Sequence, residues 1–560
     1  MAPAQAASVR TGGHVVVEAL ARAGTTAVFA IHGVQIDPIF QACVDTGVAL
    51  VDVRHEANAG FAAEAAARVT GAVGATAVCP GPGFTNVVTS IANASIDRTP
   101  VVYLVGSTPA ATQETNGLQV GLDHVAIATP VAKWACKVAT AGGLARIVAQ
   151  AIRIATTAPC GPVLLDVPAD ILAAPAIDGP GNGYAVATMI PTPCTGDADR
   201  VLGLLAGAAR PALLVGASPS PAGRAALATF VAQTGIPCFC DYRALGVLAD
   251  DDRLYGGTLY QFARLPPDTR PDVVLALGVQ FGFDTPGLRD GGVGWGTAVI
   301  HVDADPTEVA RFASASGVAG FVTDPDRMIE ALARRSLATA WNTPATWVQA
   351  VRDSRTAIWA HLDTIAASDD DRIHPYWAAR AVSDAVATSG AVLVGDGAVC
   401  KHWLHDALRL PAGSVYLTHG RFGCMGAGLG MAVGASSAAP SRPVVCVTGD
   451  GAVGFTIGEF ESIVRHGLPI TVVVMNNARW GASQGFQMRP DGPHRVVGTS
   501  LSDADYHAVM VAFGGSGVRV GTLEELRDAL AEATVRSGPT CINVSTNNIG
   551  LAPEVPLLNA

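Results

Sequence analysis

Residues 448–481 read TGDGAVGFTIGEFESIVRHGLPITVVVMNNARWG. The apolar run VVCVTGD just ahead ends in Gly449-Asp450-Gly451, and a second run, PITVVVMNN, ends in Asn476-Asn477. Both runs are short and rich in β-branched residues, so they read as buried strands. The 24 residues from Ala452 to Met475 are enough for one helix and a return to the neighbouring strand. Such a unit puts Asp450 and Asn477 side by side at the carboxyl edge of a parallel sheet, where α/β folds bind ligands. An Asp carboxylate and an Asn carbonyl are hard oxygen ligands suited to Mg²⁺, which takes its remaining ligands from phosphates and water. The flanking glycines let backbone N–H groups approach phosphate oxygens at a helix start.

The same alternation runs outward along the chain. From Gly13 to about Val167, AVFAIHG, ALVDVRHE, ATAVCPGPG, PVVYLVGS and GPVLLDVP read as strands separated by Ala-rich amphipathic helices. A Pro/Gly-rich passage, Ala174–Gly196, reads as a linker. A second block carries the strands RPALLVGAS, TGIPCFCDY, DVVLALGVQFG and TAVIHVDADP. A helical segment from Thr343 to about Ala367 leads to the acidic run Asp369-Asp370-Asp371, read as a solvated loop, and then to a third block with AVLVGDG, RPVVCVTGDG, PITVVVMNN and PTCINVS. The expectation is an α/β protein of three doubly wound parallel-sheet domains, with boundaries at 1–185, 186–342 and 343–560.

At 560 residues the chain can bury several cores without a disulfide or metal staple. Charged residues are only 15% against 49% apolar, so part of the surface is expected to be covered by other subunits. A net charge of −11 argues against nucleic acid as a main partner. No apolar stretch is long enough to span a bilayer, and the first residues lack a secretory apolar core. The eleven cysteines are scattered without a CxxC, which fits reduced thiols and a cytoplasmic location.

The GDG and NN pair at this spacing resembles the diphosphate motif of thiamine-diphosphate enzymes of the acetolactate synthase and pyruvate decarboxylase type. The resemblance implies thiamine diphosphate and Mg²⁺ as cofactors. Asp450, Asn477 and the backbone carbonyl of Arg479 would hold the metal, with Ala398, Gly449, Gly451 and Ala452 around the cofactor. RHEANAG supplies Glu56 at a strand end, where the family keeps a glutamate that exchanges a proton with the aminopyrimidine ring. Within the superfamily the chain is similar to the benzaldehyde lyases over IHGVQIDPIFQAC, VRHEANAGFAAE, ETNGLQVGLDHVAIATPVAKWA and HGRFGCMGAGLG. That likeness makes Met425 the side chain under the cofactor, gives the Gly423 carbonyl as an acceptor for the aminopyrimidine, and makes Gln119 a hydrogen-bond partner for the substrate oxygen. It places His32 near the reacting carbon and His419 at the diphosphate side. Cofactors would lie between the first domain of one subunit and the third of another, in a homodimer or homotetramer.

The departures bear on substrate. Benzaldehyde lyase carries Ala-His where this sequence has Val34-Gln35, an amide that can only donate and accept hydrogen bonds. A pocket tryptophan is replaced by Ala169, and a Tyr-Leu pair by Lys401-His402; Phe486 keeps one aromatic position. Lys401 and His402 at the pocket mouth, with Arg421 as a further anion contact, would favour a polar or anionic substrate; the alternative is that both extend into solvent. The expected activity is a lyase or carboligase acting on aldehydes and 2-hydroxyketones. A 2-ketoacid decarboxylase or acetolactate-synthase-like enzyme, a 2-hydroxyacyl-CoA lyase and a non-catalytic binding subunit are the alternatives. No GxGxxG is present in the middle block, so no nucleotide is expected there.

Overall fold

The computed structural model describes residues 9–548 and 552, except 113–114, 116, 120, 178–189, 217–219, 283–295, 312–316, 368–371, 489–494 and 537. Most of the expected linker and the acidic run Asp369–Asp371 therefore lie outside the described residues.

Three six-stranded sheets are built, and every strand pair in them is parallel. The first holds β1 (Ala27–Ala30), β2 (Ala49–Asp52), β3 (Gly74–Val78), β4 (Val101–Ser107), β5 (Trp134–Lys137) and β6 (Val163–Pro168), in the order β2-β1-β3-β4-β6-β5. The second holds β7 (Pro211–Val215), β8 (Cys238–Cys240), β9 (Tyr255–Thr258), β10 (Val273–Leu277), β11 (Ala298–Asp303) and β12 (Val318–Val322), in the order β12-β11-β10-β7-β8-β9. The third holds β13 (Val392–Gly395), β14 (Tyr416–Thr418), β15 (Val444–Gly449), β16 (Ile470–Asn476), β17 (Ser516–Val520) and β18 (Thr540–Ser545), in the order β14-β13-β15-β16-β18-β17. Counted from its own first strand, the third sheet repeats the order of the first, whereas the middle sheet is wound differently. The three α/β layers expected from the sequence are present.

The first and third layers meet through two helices, Glu56–Thr70 and Ala427–Ala438. Glycine is required at this contact. A Cβ on Gly434 would stand 2.0 Å from the carbonyl oxygen of Ala62, and one on Gly430 would stand 3.0 Å from the backbone of Asn58. Beside them the fully buried Glu459 accepts from the Arg54 N–H (2.9 Å), Asn58 Nδ2 (2.8 Å) and Ser462 Oγ (2.7 Å), tying the start of the first helix to the third layer.

In the third sheet the strand order reverses between β13 and β15, and ligand clefts form outside the carboxyl ends at such a switch point. Both strands run into the same pentapeptide. Gly395-Asp396-Gly397-Ala398-Val399 follows β13, and Gly449-Asp450-Gly451-Ala452-Val453 follows β15.

Candidate active site

A cleft opens at that switch point, lined by Gly397, Ala398, Met425, Gly449, Asp450, Gly451, Ala452, Asn477 and Arg479 among others. The cofactor and metal positions expected from the sequence are thus largely brought together. Strands β15 and β16 pair in register up to Gly449 opposite Met475, so their exits deliver Asp450 and Asn477 to the same edge. The Arg479 N–H points at both side chains, 3.0 Å from Asp450 Oδ2 and 3.2 Å from Asn477 Oδ1. Asp450 is buried, and burial pushes its carboxyl up to about 6 despite hydrogen bonds from backbone N–H groups. A cation here would relieve that desolvation, and two neighbouring oxygens with water and phosphate fit Mg²⁺.

The two GDGAV turns do different work. Asp396 faces inward: its Oδ1 accepts from the N–H groups of Gly397 (2.6 Å) and Gly426 (3.1 Å), joining two loops that line the cleft. Gly397, at φ +90°, would place a Cβ 2.9 Å from Cys400 Sγ. The repeated pentapeptide is the signal that could have flagged Asp396 beforehand.

A second group assembles at the carboxyl edge of the first sheet. Glu56 opens the helix after β2 and accepts from Asn86 Nδ2 at 2.9 Å. Gln35, after β1, donates from Nε2 to Gln119 Oε1 at 2.9 Å. The turn Gly81-Pro82-Gly83 separates the two pairs. A Cβ on Gly81 would sit 3.2 Å from Gln119 Cβ, and one on Gly83 would sit 3.6 Å from Glu56 Oε1. Gln119 has φ +65°, a left-handed backbone that non-glycine residues seldom adopt. The buried pair His124–Asp166 (Nδ1–Oδ2 2.9 Å) lies beneath, where His124 Nε2 also meets the Gly81 N–H at 3.4 Å. Nothing in the periodicity singled out this pair.

Three family models match the chain: the thiamine pyrophosphate enzyme N-terminal TPP binding domain over residues 10–127, the central domain over 198–332, and the C-terminal TPP binding domain over 396–544. A probable acetolactate synthase of Mycobacterium bovis is 32% identical over 98% of this chain and 97% of its own length. The chain belongs to the thiamine pyrophosphate enzymes. Thiamine pyrophosphate, the same molecule as thiamine diphosphate, is therefore its cofactor. Other relatives are an oxalyl-CoA decarboxylase of Escherichia coli, 29% identical over 95% of this chain and 94% of its own, and a 2-hydroxyacyl-CoA lyase 2 of Danio rerio, 28% identical over 94% and 89%.

Several expected pocket residues of this thiamine pyrophosphate enzyme lie elsewhere. Val399 and Cys400 line the cleft, but Lys401, about 200° round the helix Val399–Ala407 from Val399, is buried with Nζ 3.5 Å from His419 Nε2. It neither stands at the mouth nor extends into solvent. His402, the next residue, is half-buried, with its imidazole pushed down to about 3 by burial and by Lys401. Burial and Lys401 likewise push His419 down to about 3; its Nε2 lies 3.3 Å from the Gly397 carbonyl under the cleft. Arg421 reaches toward Gly282 of the middle layer: a Cβ on Gly282 would lie 3.3 Å from its guanidinium. His32 is exposed and turns to Asp37 (3.3 Å) and Phe40. Val34 is exposed and Ala169 begins a short helix after β6. Gly423, at φ +73°, lies on the loop leading to Met425, and Phe486 is half-buried on the helix whose first residues line the cleft.

The Asp450 cleft takes its lining from residues 375–547 only, and none comes from the Glu56–Gln119 edge. Large apolar side chains are exposed around both: Val34, Leu118 and Leu122 at one, Phe422, Met425, Phe455 and Met488 at the other.

Proposed function

We propose that this thiamine pyrophosphate enzyme is a Mg²⁺-dependent lyase or carboligase that cleaves or forms the C–C bond of a 2-hydroxyketone, in the manner of the benzaldehyde lyases. The observation that carries the reading is the Gln35–Gln119 pair beside Glu56. With its Oε1 occupied by Gln35, Gln119 keeps its amide N–H groups to donate to a ketone or aldehyde oxygen. A neutral donor suits a neutral carbonyl. The cation expected to hold a ketoacid carboxylate, Lys401, is buried against His419.

The bound cofactor supplies a nucleophilic carbon and an electron sink. Asp450, Asn477 and the Arg479 carbonyl would hold Mg²⁺ against its diphosphate, and Ala398, Gly449, Gly451 and Ala452 would approach it with backbone. Met425 would support the cofactor from below, and the Gly423 carbonyl and Glu56 would engage the aminopyrimidine, with Glu56 giving and taking the proton. Residues from the Asp450 cleft and from the Glu56 edge would face each other only across two copies of the chain. The exposed apolar rims support that arrangement, in a homodimer or homotetramer. The eleven free thiols fit a cytoplasmic location. No helix among the described residues is long and apolar enough to cross a membrane.

Mass-spectrometric screening of aldehydes and 2-ketoacids, singly and in pairs with cofactor and Mg²⁺ added, tests the reading. The expected products are 2-hydroxyketones from aldehyde pairs, with the reverse cleavage and little CO₂. Slow cleavage of benzoin is expected, because the aromatic wall is reduced to Phe486. Rapid CO₂ release from ketoacids without hydroxyketone turnover would replace this reading with a decarboxylase. The names of the CoA-dependent relatives favour a second reading, a CoA-thioester substrate. Retention on immobilised CoA would bring it forward.

A further inference from the structure

Strand β18 runs beside β16, and the chain leaves it as Thr546-Asn547. Asn547 lines the same cleft as Asp450 and Asn477. Its backbone is fixed, the N–H donating to the Ile373 carbonyl at 3.0 Å next to the bridge between Ile373 and Thr546. The side chain is 2% exposed, yet neither Oδ1 nor Nδ2 has a hydrogen-bond partner. The asparagine that ends β16 behaves differently. Asn476 Nδ2 donates to Asp503 Oδ1 and the Ala504 carbonyl, each at 3.1 Å, and its Oδ1 accepts from the Ala478 N–H at 3.1 Å.

A buried carboxamide stripped of water with both ends unpaired is costly in a folded protein, and such groups call for a partner. The cleft is where that partner can arrive. We propose that Asn547 is a further ligand-binding residue of the cleft, a polar contact for the diphosphate and the water carried by its Mg²⁺. Nδ2–H donates to a phosphate oxygen, and Oδ1 accepts from metal-bound water, so one neutral side chain serves both charges. An aspartate there would repel the diphosphate, and an apolar residue would offer neither bond. The proposal rests on the reading of the cleft as the diphosphate site.

Titration calorimetry of thiamine diphosphate at saturating Mg²⁺, with thermal unfolding of the cofactor-free protein, tests it. Asn547→Leu should leave the Tm of the cofactor-free protein unchanged or higher, since two unpaired polar atoms are removed. The same variant should bind thiamine diphosphate about 10–100-fold more weakly. Asn547→Asp, closest in shape, carries the test if the leucine variant does not fold, and it too should weaken binding at least about 10-fold. Unchanged affinity in either folded variant, or a Tm loss of several degrees with affinity intact, overturns the proposal and makes Asn547 a structural residue. Wild-type protein that binds no thiamine diphosphate overturns the reading of the cleft, and the role of Asn547 with it.

Discussion

The oxygens Asp450 Oδ2 and Asn477 Oδ1 accept from one backbone N–H, that of Arg479, at 3.0 and 3.2 Å. Two strands joined through two short helices, Asp450–Val453 and Glu459–Arg465, thus aim their exits at one point. Asp450→Ala removes the only carboxylate among the proposed metal ligands. Loss of residues merely supporting a metal ligand costs about 10–100-fold in affinity, so loss of the ligand itself should cost at least that. Calorimetry should show thiamine diphosphate affinity falling and activity returning only at high added Mg²⁺. Unchanged affinity would mean that the GDG and NN exits serve another ligand.

Gln35→Ala should act on turnover and leave cofactor binding alone. It removes the donor that holds Gln119 Oε1 and frees a residue whose backbone is already in a left-handed conformation. With the hydroxyketone found by screening, kcat should fall about 5–100-fold while cofactor affinity stays put. Equal kcat would show that the pair does not orient the substrate oxygen.

A buried carboxyl outside the site sets a pH dependence of stability. Glu64 is fully buried, and burial, with the nearby Asp97 carboxylate, pushes it up to about 8 from an ordinary 4.5. The folded chain holds a proton there that the unfolded chain releases above about 4.5. Stability from this group is therefore complete below about pH 4.5 and is lost as pH rises through about 8. The slope is at most about 1.4 kcal/mol per pH unit. Glu64→Gln should flatten this fall in a series of thermal melts from pH 5 to about 9; parallel curves for both proteins would exclude Glu64 as its source.

The strands that a reader of the sequence finds and the ones that escape differ in place. The thirteen legible strands include every interior strand, such as β4, β15 and β16, where both faces are covered and the run is continuously apolar. The five that escape are β5, β9, β12, β14 and β17, all at sheet edges. β14 has only three residues, Tyr416–Thr418; β9 reads YGGT, with glycines that weaken any strand signal; and β17 exposes Val518 and Arg519.

The site divides in a similar way. Asp450 and Asn477 are legible because local spacing delivers them to the cleft, and Met425 only through the likeness to the benzaldehyde lyases. The pairing of Gln35 with Gln119 spans 84 residues and arises only when two strand exits meet. Lys401 misled because the first turn of its helix passes from the cleft to the core within two residues. Asn547 lies in STNN, a polar run that reads as an ordinary loop.

The proposed site takes Glu56 from one copy and Asp450 from another, and mixing two inactive variants measures this directly. Glu56→Gln alone should bind cofactor but slow proton exchange at the thiazolium C2 about 10²–10⁴-fold, the range for a lost acid–base group. Asp450→Ala alone should be inactive at limiting Mg²⁺. After the two are unfolded together and refolded, half of the dimers should be mixed, and one of the two sites in each should have both residues intact. C2 exchange or turnover should then recover to about one quarter of the wild-type value. Recovery no greater than the sum of the separate variants would place Glu56 and Asp450 in the same chain's site, or remove Glu56 from the chemistry, and would contradict the account.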